Sequence, residues 1–221
     1  MQIISNHIVE AITLITAIAN YKHIKGTRYV YFIPVMAFVL FGELGGVYFS
    51  KPPNYNVSKN LHIYLVITTV ENIFFGYQFY HMIQSRKMKM FTFVGTALLT
   101  VAMSLWLFFF VDLGSLITNT LGVAGFFFSC LSCFFLYEKF VINEHTDDKI
   151  TLIPDFWFSI GILVFWVGSS IPFMLYYFLK NDQILIWGLP LYRFFPQLFS
   201  VFLYGCFTAA IILWKKYQKQ F

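Results

Sequence analysis

Residues Met90 to Val111 read MFTFVGTALLTVAMSLWLFFFV, an unbroken run without one ionisable side chain. A helix rises about 1.5 Å per residue, so this run is long enough to cross a hydrocarbon core of roughly 30 Å. Strand geometry is excluded by the pattern: Phe108, Phe109, Phe110 and Val111 are all apolar, where a transmembrane strand alternates. Lipid offers no partner for open backbone groups, which leaves helix.

The same reading extends in both directions. Spans are expected at Ile3–Tyr21, Tyr29–Phe49, Leu61–Ile83, Met90–Val111, Leu116–Phe140, Asp155–Leu179 and Ile186–Trp214, the last with an interfacial start because Pro190 and Pro196 interrupt it. Of the 221 residues, 59% are hydrophobic and only 11% charged, and the mean hydropathy is +0.70. The longest non-apolar stretch, roughly Glu138 to Ile153, is too short to build a core in water. The expected fold is therefore all-α: a polytopic membrane protein, one seven-transmembrane-helix bundle over residues 1–221 with no soluble domain. The first span carries Asn6, His7 and Glu10 and lacks a basic leader, so no cleavable signal is expected. Pro34, Pro172 and Pro196 fall inside apolar runs and predict bends.

Charge sets the expected orientation. Lys22, Lys25, Arg28, Arg86, Lys87, Lys89, Lys139, Lys149, Lys215, Lys216 and Lys219 fall on one side of the spans, against Lys51, Lys59, Lys180 and Arg193 on the other. The more basic side faces the cytoplasm, which puts the amino terminus outside and the carboxyl terminus inside. The net charge of +5 is spread through these short connections rather than gathered on one surface, so it is no nucleic-acid signature. Tyr29, Tyr31, Tyr48, Tyr176, Tyr177, Trp187 and Trp214 mark the headgroup levels.

The costly residues carry the functional information. A charge at mid-membrane costs at least about 2.5–3.5 kcal/mol on insertion scales, and Glu10, Glu43 and Glu71 each lie within a span. Helical spacing places them on polar faces. One stripe holds Asn6, Glu10, Thr13 and Asn20, with Ala17 in register. A second holds Tyr64, Thr68, Glu71, Gln78 and His81, with Asn72 beside it. A third holds Arg193, Gln197, Ser200, Tyr204 and Thr208. Arg193 can pair with a carboxylate or receive an anionic group in a forked contact, and equally can reach to the outer headgroups. The expected ligand-contacting set is Glu10, Glu43, Tyr64, Thr68, Glu71, Asn72, Arg193 and Gln197, around a cavity opening outward. Gly42 with Gly46, Gly122 with Gly125, and Gly161 with Gly168 have the spacing of close helix contacts.

Other motifs dissolve on inspection. Cys130-Leu131-Ser132-Cys133 matches C-x-x-C, but within an apolar span it reads as buried packing, as does Cys206. The five histidines form no H-E-x-x-H or H-x-x-x-H pair, and His7 with Glu10, aided by His62, is a weak metal set, so no metal or cofactor is expected. The last span has no lysine before Lys215, which excludes a retinal Schiff base. An enzyme using Glu71 as base would need His62 or His81, which lie about 14–15 Å along the same helix. No catalytic motif is present, which weighs against an enzyme without excluding one.

Through Glu71, the start Asp155-Phe156-Trp157 with Gly161 and Gly168, and the lysine-rich end, the chain resembles small seven-helix inner-membrane proteins of bacteria. The resemblance implies the fold and the membrane and brings no activity. The leading expectation is a sensor or receptor-like protein that binds a small or lipidic ligand and signals to a membrane or cytoplasmic partner through its cytoplasmic loops. Membrane lipids are the other expected partner. A proton-coupled or small-molecule transporter is the alternative, followed by a lipid-modifying enzyme or a structural subunit of a membrane complex.

Overall fold

The computed structural model describes residues 5–49, 57–109, 114–142, 150–174, 185–186 and 189–217. They form an all-α protein: α1 (Ser5–Ala19), α2 (Tyr21–Ile24), α3 (Phe32–Phe49), α4 (Val57–Met82), α5 (Arg86–Phe109), α6 (Gly114–Tyr137), α7 (Pro154–Met174) and α8 (Leu191–Tyr217). The only strands among the described residues are Leu185–Ile186 and Leu189–Pro190, a two-residue antiparallel ladder ahead of α8. Among the described residues, four segments are long and apolar enough to cross a membrane: Arg28–Phe49, Arg86–Leu105, Leu121–Val141 and Phe194–Lys216. The polar load of α4, with His62, Glu71, Asn72, Gln78 and His81 on one helix, explains why so long an element is absent from that set.

Local chemistry sets the breaks. Asn20 turns its side-chain amide back to the carbonyl of Thr16 at 2.9 Å, closing α1. Gly26 then takes φ +81°, the left-handed region open to glycine, while the Thr27 hydroxyl donates to the carbonyl of Ile24 at 2.7 Å. The end of α6 widens into a π turn over Glu138–Ile142. The prolines behave unequally. Pro34 sits in the first turn of α3, where its missing N–H has no intrahelical acceptor to lose, so the predicted disruption does not arise there. Pro172 and Pro196 do lie within α7 and α8.

The chain divides into two compact units, Met1–Val30 with Gly125–Phe221, and Tyr31–Ala124. In the first, α8 packs against both α1 and α7. Gly161 faces Cys206 and Gly168 faces Phe199, so the glycines of α7 admit α8, while Phe158 stacks on Phe207 at 5.1 Å. Gly125 of α6 lies under the Trp166 ring, and Ser159 donates to the carbonyl of Ser132 at 3.3 Å. Cys206 is buried as expected. Cys130 and Cys133 are not: both are exposed on α6, because the packed face of that helix is taken by Phe128, Leu131, Ser132 and Phe135.

In the second unit α4 packs against α3 on one side and α5 on the other. Gly42 meets Ile67, and Gly46 meets Asn60 and Tyr64, so the glycines flanking Glu43 are filled by side chains of α4. Gly76 admits Thr96 of α5, and Phe32 meets Phe74 edge-on at 4.9 Å. Met36, Val39, Leu65, Phe75, Phe79 and Met103 complete this core.

Candidate functional site

The stripe expected on α1 is buried in fact. Glu10, Thr13 and Ala17 are all wholly inaccessible, and the seam has partners on α8. The Thr13 hydroxyl lies 2.8 Å from the carbonyl of Val9, 3.0 Å from the carbonyl of Tyr204 and 2.9 Å from the hydroxyl of Thr208. A hydroxyl has one proton and two lone pairs, so Thr13 donates to the carbonyls and takes the proton of Thr208. Tyr204 and Thr208 belong to the polar stripe predicted on the last span, so two of the three stripes meet as a helix–helix seam.

One turn above Thr13 sits a carboxylate with two polar neighbours on its own helix. Asn6 donates its amide to Glu10 Oε1 at 3.4 Å, and His7 Nδ1 stands 3.5 Å from Glu10 Oε2. The spacings are i to i+4 and i to i+3, which bring side chains onto one helix face. A carboxyl group with zero exposure beside an imidazole can hold a proton between two bases or share it with a polar ligand. Gln197 is half-buried on α8 of the same unit. Arg193 lies in the first turn of that helix, and its side chain is outside the described residues.

The second unit holds Tyr64, Thr68, Glu71 and Asn72 on α4 and Glu43 on α3. Their faces differ from the expectation. Asn72 is wholly buried and Gln78 nearly so, whereas Tyr64 and His81 are exposed and Glu71 is half-buried. The predicted stripe therefore splits. Its buried line runs through Leu65, Asn72, Phe75 and Phe79, since α4 is covered by helices on two sides. Asn72 donates its amide to Met103 Sδ at 3.0 Å, and Thr69 approaches the same sulfur at 3.8 Å. Thioether sulfur is a weak acceptor. The carbonyl oxygen of Asn72 and the hydroxyl of Thr96 are both buried with no hydrogen-bond partner among the described residues. The Thr68 hydroxyl is bound back to the carbonyl of Tyr64 at 2.9 Å.

One cluster escaped the sequence reading. Arg28 forms an ion pair with Asp155, and the Tyr29 hydroxyl donates to Asp155 Oδ1 at 2.6 Å. Tyr29 is buried against Trp214, with ring centroids 4.6 Å apart. The turn after α2, the first turn of α7 and the last turns of α8 are thereby joined. In the sequence Arg28 stands among the basic residues of one side and Asp155 at the start of a span. Pairing across 127 positions has no local signal.

No protein-family model matches the chain, and neither a curated protein nor a solved structure matches it significantly.

Proposed function

We propose that this is an integral membrane sensor or receptor-like protein that binds a small or lipidic ligand at a polar face of its bundle and passes the change to a partner through short cytoplasmic loops. In this reading it crosses a bacterial inner membrane seven times, with the amino terminus outside. The observation that carries it is Glu10: a wholly buried carboxyl group with His7 and Asn6 on its flank, kept in a helix where it is costly. The topology draws support from the cluster of Arg28, Tyr29, Asp155 and Trp214, because the positive-inside count assigns all four to the cytoplasmic side. A reporter fused at Lys51 or Asn181 should be inactive in the cytoplasm, and activity there overturns the orientation.

The His7–Glu10 pair also favours a second reading, a proton-coupled carrier, since a carboxylate and an imidazole within reach can exchange a proton. Proteoliposomes loaded with a pH-sensitive dye separate the two. The sensor reading expects no proton flux under an imposed gradient, together with a discrete crosslinked partner in native membranes from a photoreactive group at Lys22 or Lys87. Flux that Glu10→Gln abolishes would replace the sensor by the carrier.

A further inference from the structure

The unit formed by Tyr31–Ala124 carries an apolar groove of about 380 Å³ between α3 and α4, lined by Tyr31, Val35, Val70, Ile73, Phe74 and Tyr77. That volume falls in the range of small-ligand sites, about 300–1,000 Å³. Its rim is open: Tyr31 and Ile73 are each 48% exposed and Tyr77 is 37% exposed. Along α4 the groove runs from Val70 to Tyr77, about 10 Å at the helical rise. None of the eight residues expected to contact a ligand is among its described lining residues.

What the groove leads to identifies its occupant. Tyr31 and Tyr77 meet edge-on at 5.2 Å. Tyr77 contacts His81 at 4.6 Å, His81 contacts Tyr80 at 5.4 Å, and Lys89 Nζ lies 5.9 Å over the Tyr80 ring. Arg86 and Lys87 are exposed in the first turn of α5, the helix that carries Lys89. The chain has no carboxylate between Glu71 and Asp112, so this basic end faces no acidic residue of its own stretch. An apolar channel that opens into an aromatic rim and then into lysine and arginine matches the order of an acyl chain, a glycerol backbone and a phosphate. We infer that this groove seats one acyl chain of an anionic phospholipid, with the phosphate held at Lys89, His81 and Tyr77. Aromatic rims settle at the headgroup level, and basic pockets between spans recognise anionic headgroups. A zwitterionic lipid gains little from the basic end, and a free phosphate gains nothing from the groove. The inference is independent of the sensor reading, since it uses neither Glu10 nor any partner protein.

The test uses the full chain in vesicles containing phosphatidylglycerol or phosphatidylcholine, each carrying a diazirine in mid-chain, with labelled peptides mapped by mass spectrometry. Phosphatidylglycerol should label the Val35 and Val70–Phe74 peptides several-fold more than phosphatidylcholine. Lys89→Gln should lower that labelling by roughly fivefold, in line with the attraction of one basic residue to an anionic surface. Val35→Trp, which fills the groove and leaves the charges in place, should remove labelling by both lipids there while other peptides stay labelled. Equal labelling by the two lipids, or phosphatidylglycerol labelling indifferent to both variants, would overturn the inference. Displacement by millimolar inorganic phosphate would also overturn it, by showing a phosphate site with no need of the lipid tail.

Discussion

The two units of this chain handle the same problem differently. Each must bury polar side chains inside helices that pack in an apolar surround. In the unit built from the chain's two ends, several polar groups answer one another: Thr13 with Thr208 and Tyr204, Asp155 with Arg28 and Tyr29, Ser159 with Ser132, while Ser169 Oγ and Trp166 Nε1 are buried with no hydrogen-bond partner among the described residues. In the central unit, Asn72 relies on a sulfur and leaves its carbonyl oxygen bare, while cohesion comes from close approach at Gly42, Gly46 and Gly76 and from aromatic edges. Both units use close approach at glycines, and the first adds the bonds between helices at Thr13, Asp155 and Ser159. Substitutions that remove a bond between helices and substitutions that fill a close approach therefore probe the two devices separately.

The largest effect is expected at Asp155. Its side chain and that of Arg28 are each 17% exposed, and removing one partner of such a pair strands the other charge. Asp155→Ala should cost about 3–5 kcal/mol in denaturant-unfolding measurements, with Arg28→Ala/Asp155→Ala recovering part of the loss. A cost under 1 kcal/mol would mean that water already screens the pair, and the first unit would lose its strongest directed bond. Next comes Gly76 in the central unit. A side chain there would run into Thr96, whose Cβ is fixed to the α5 backbone and cannot swing away. Gly76→Val should cost about 1–3 kcal/mol by overpacking. Gly42→Ala should cost less, because it meets only the flexible end of Ile67.

A smaller loss is expected at Thr13. Hydrogen bonds between transmembrane helices average about 0.6 kcal/mol and reach about 1.7. Thr13→Val keeps the shape and removes the bonds to Tyr204 and Thr208, so thermal unfolding should register a loss within that range. Thr68→Val in the central unit is the matched control. Its hydroxyl bonds only within its own helix, and the change should be near zero.

How much of this was legible follows from range. Helix was readable because lipid forces it locally, and α1, α3 and α5 lie within a few residues of the runs that predicted them. The burial of Glu10, Thr13 and Ala17 was readable because one helix face needs only its own period. On α4 the period was right but the face was wrong. Two helices cover α4, so its buried sector is wide, and the polar stripe straddled the boundary between Asn72 inside and Tyr64 outside. The exposed Cys130 and Cys133 failed for a related reason: an all-apolar helix does not announce which side it packs. The Arg28–Asp155 pair and the groove between α3 and α4 depend on which helices meet, and that information resides in no single segment.

The sharpest substitution for the comparison is at Asn72. Leucine has nearly the same shape as asparagine, so Asn72→Leu leaves the packing on Met103 in place. What it removes is one amide–sulfur contact at 3.0 Å and one buried carbonyl oxygen without a partner among the described residues. The first is weak. The second carries a desolvation cost of about 1–3 kcal/mol for as long as it goes unpaired, and leucine relieves it. The two contributions oppose each other, so the substitution should leave stability within about 0.5 kcal/mol of the parent or raise it, while Thr13→Val lowers it. Parallel thermal scans of the two variants in one detergent supply the measurement. A loss above about 1.5 kcal/mol at Asn72 would mean that its carbonyl oxygen is bonded in the membrane-embedded protein, by water or by a ligand's donor group. The central unit would then share the directed chemistry of the first, and Asn72 would become the place to look for what the protein binds.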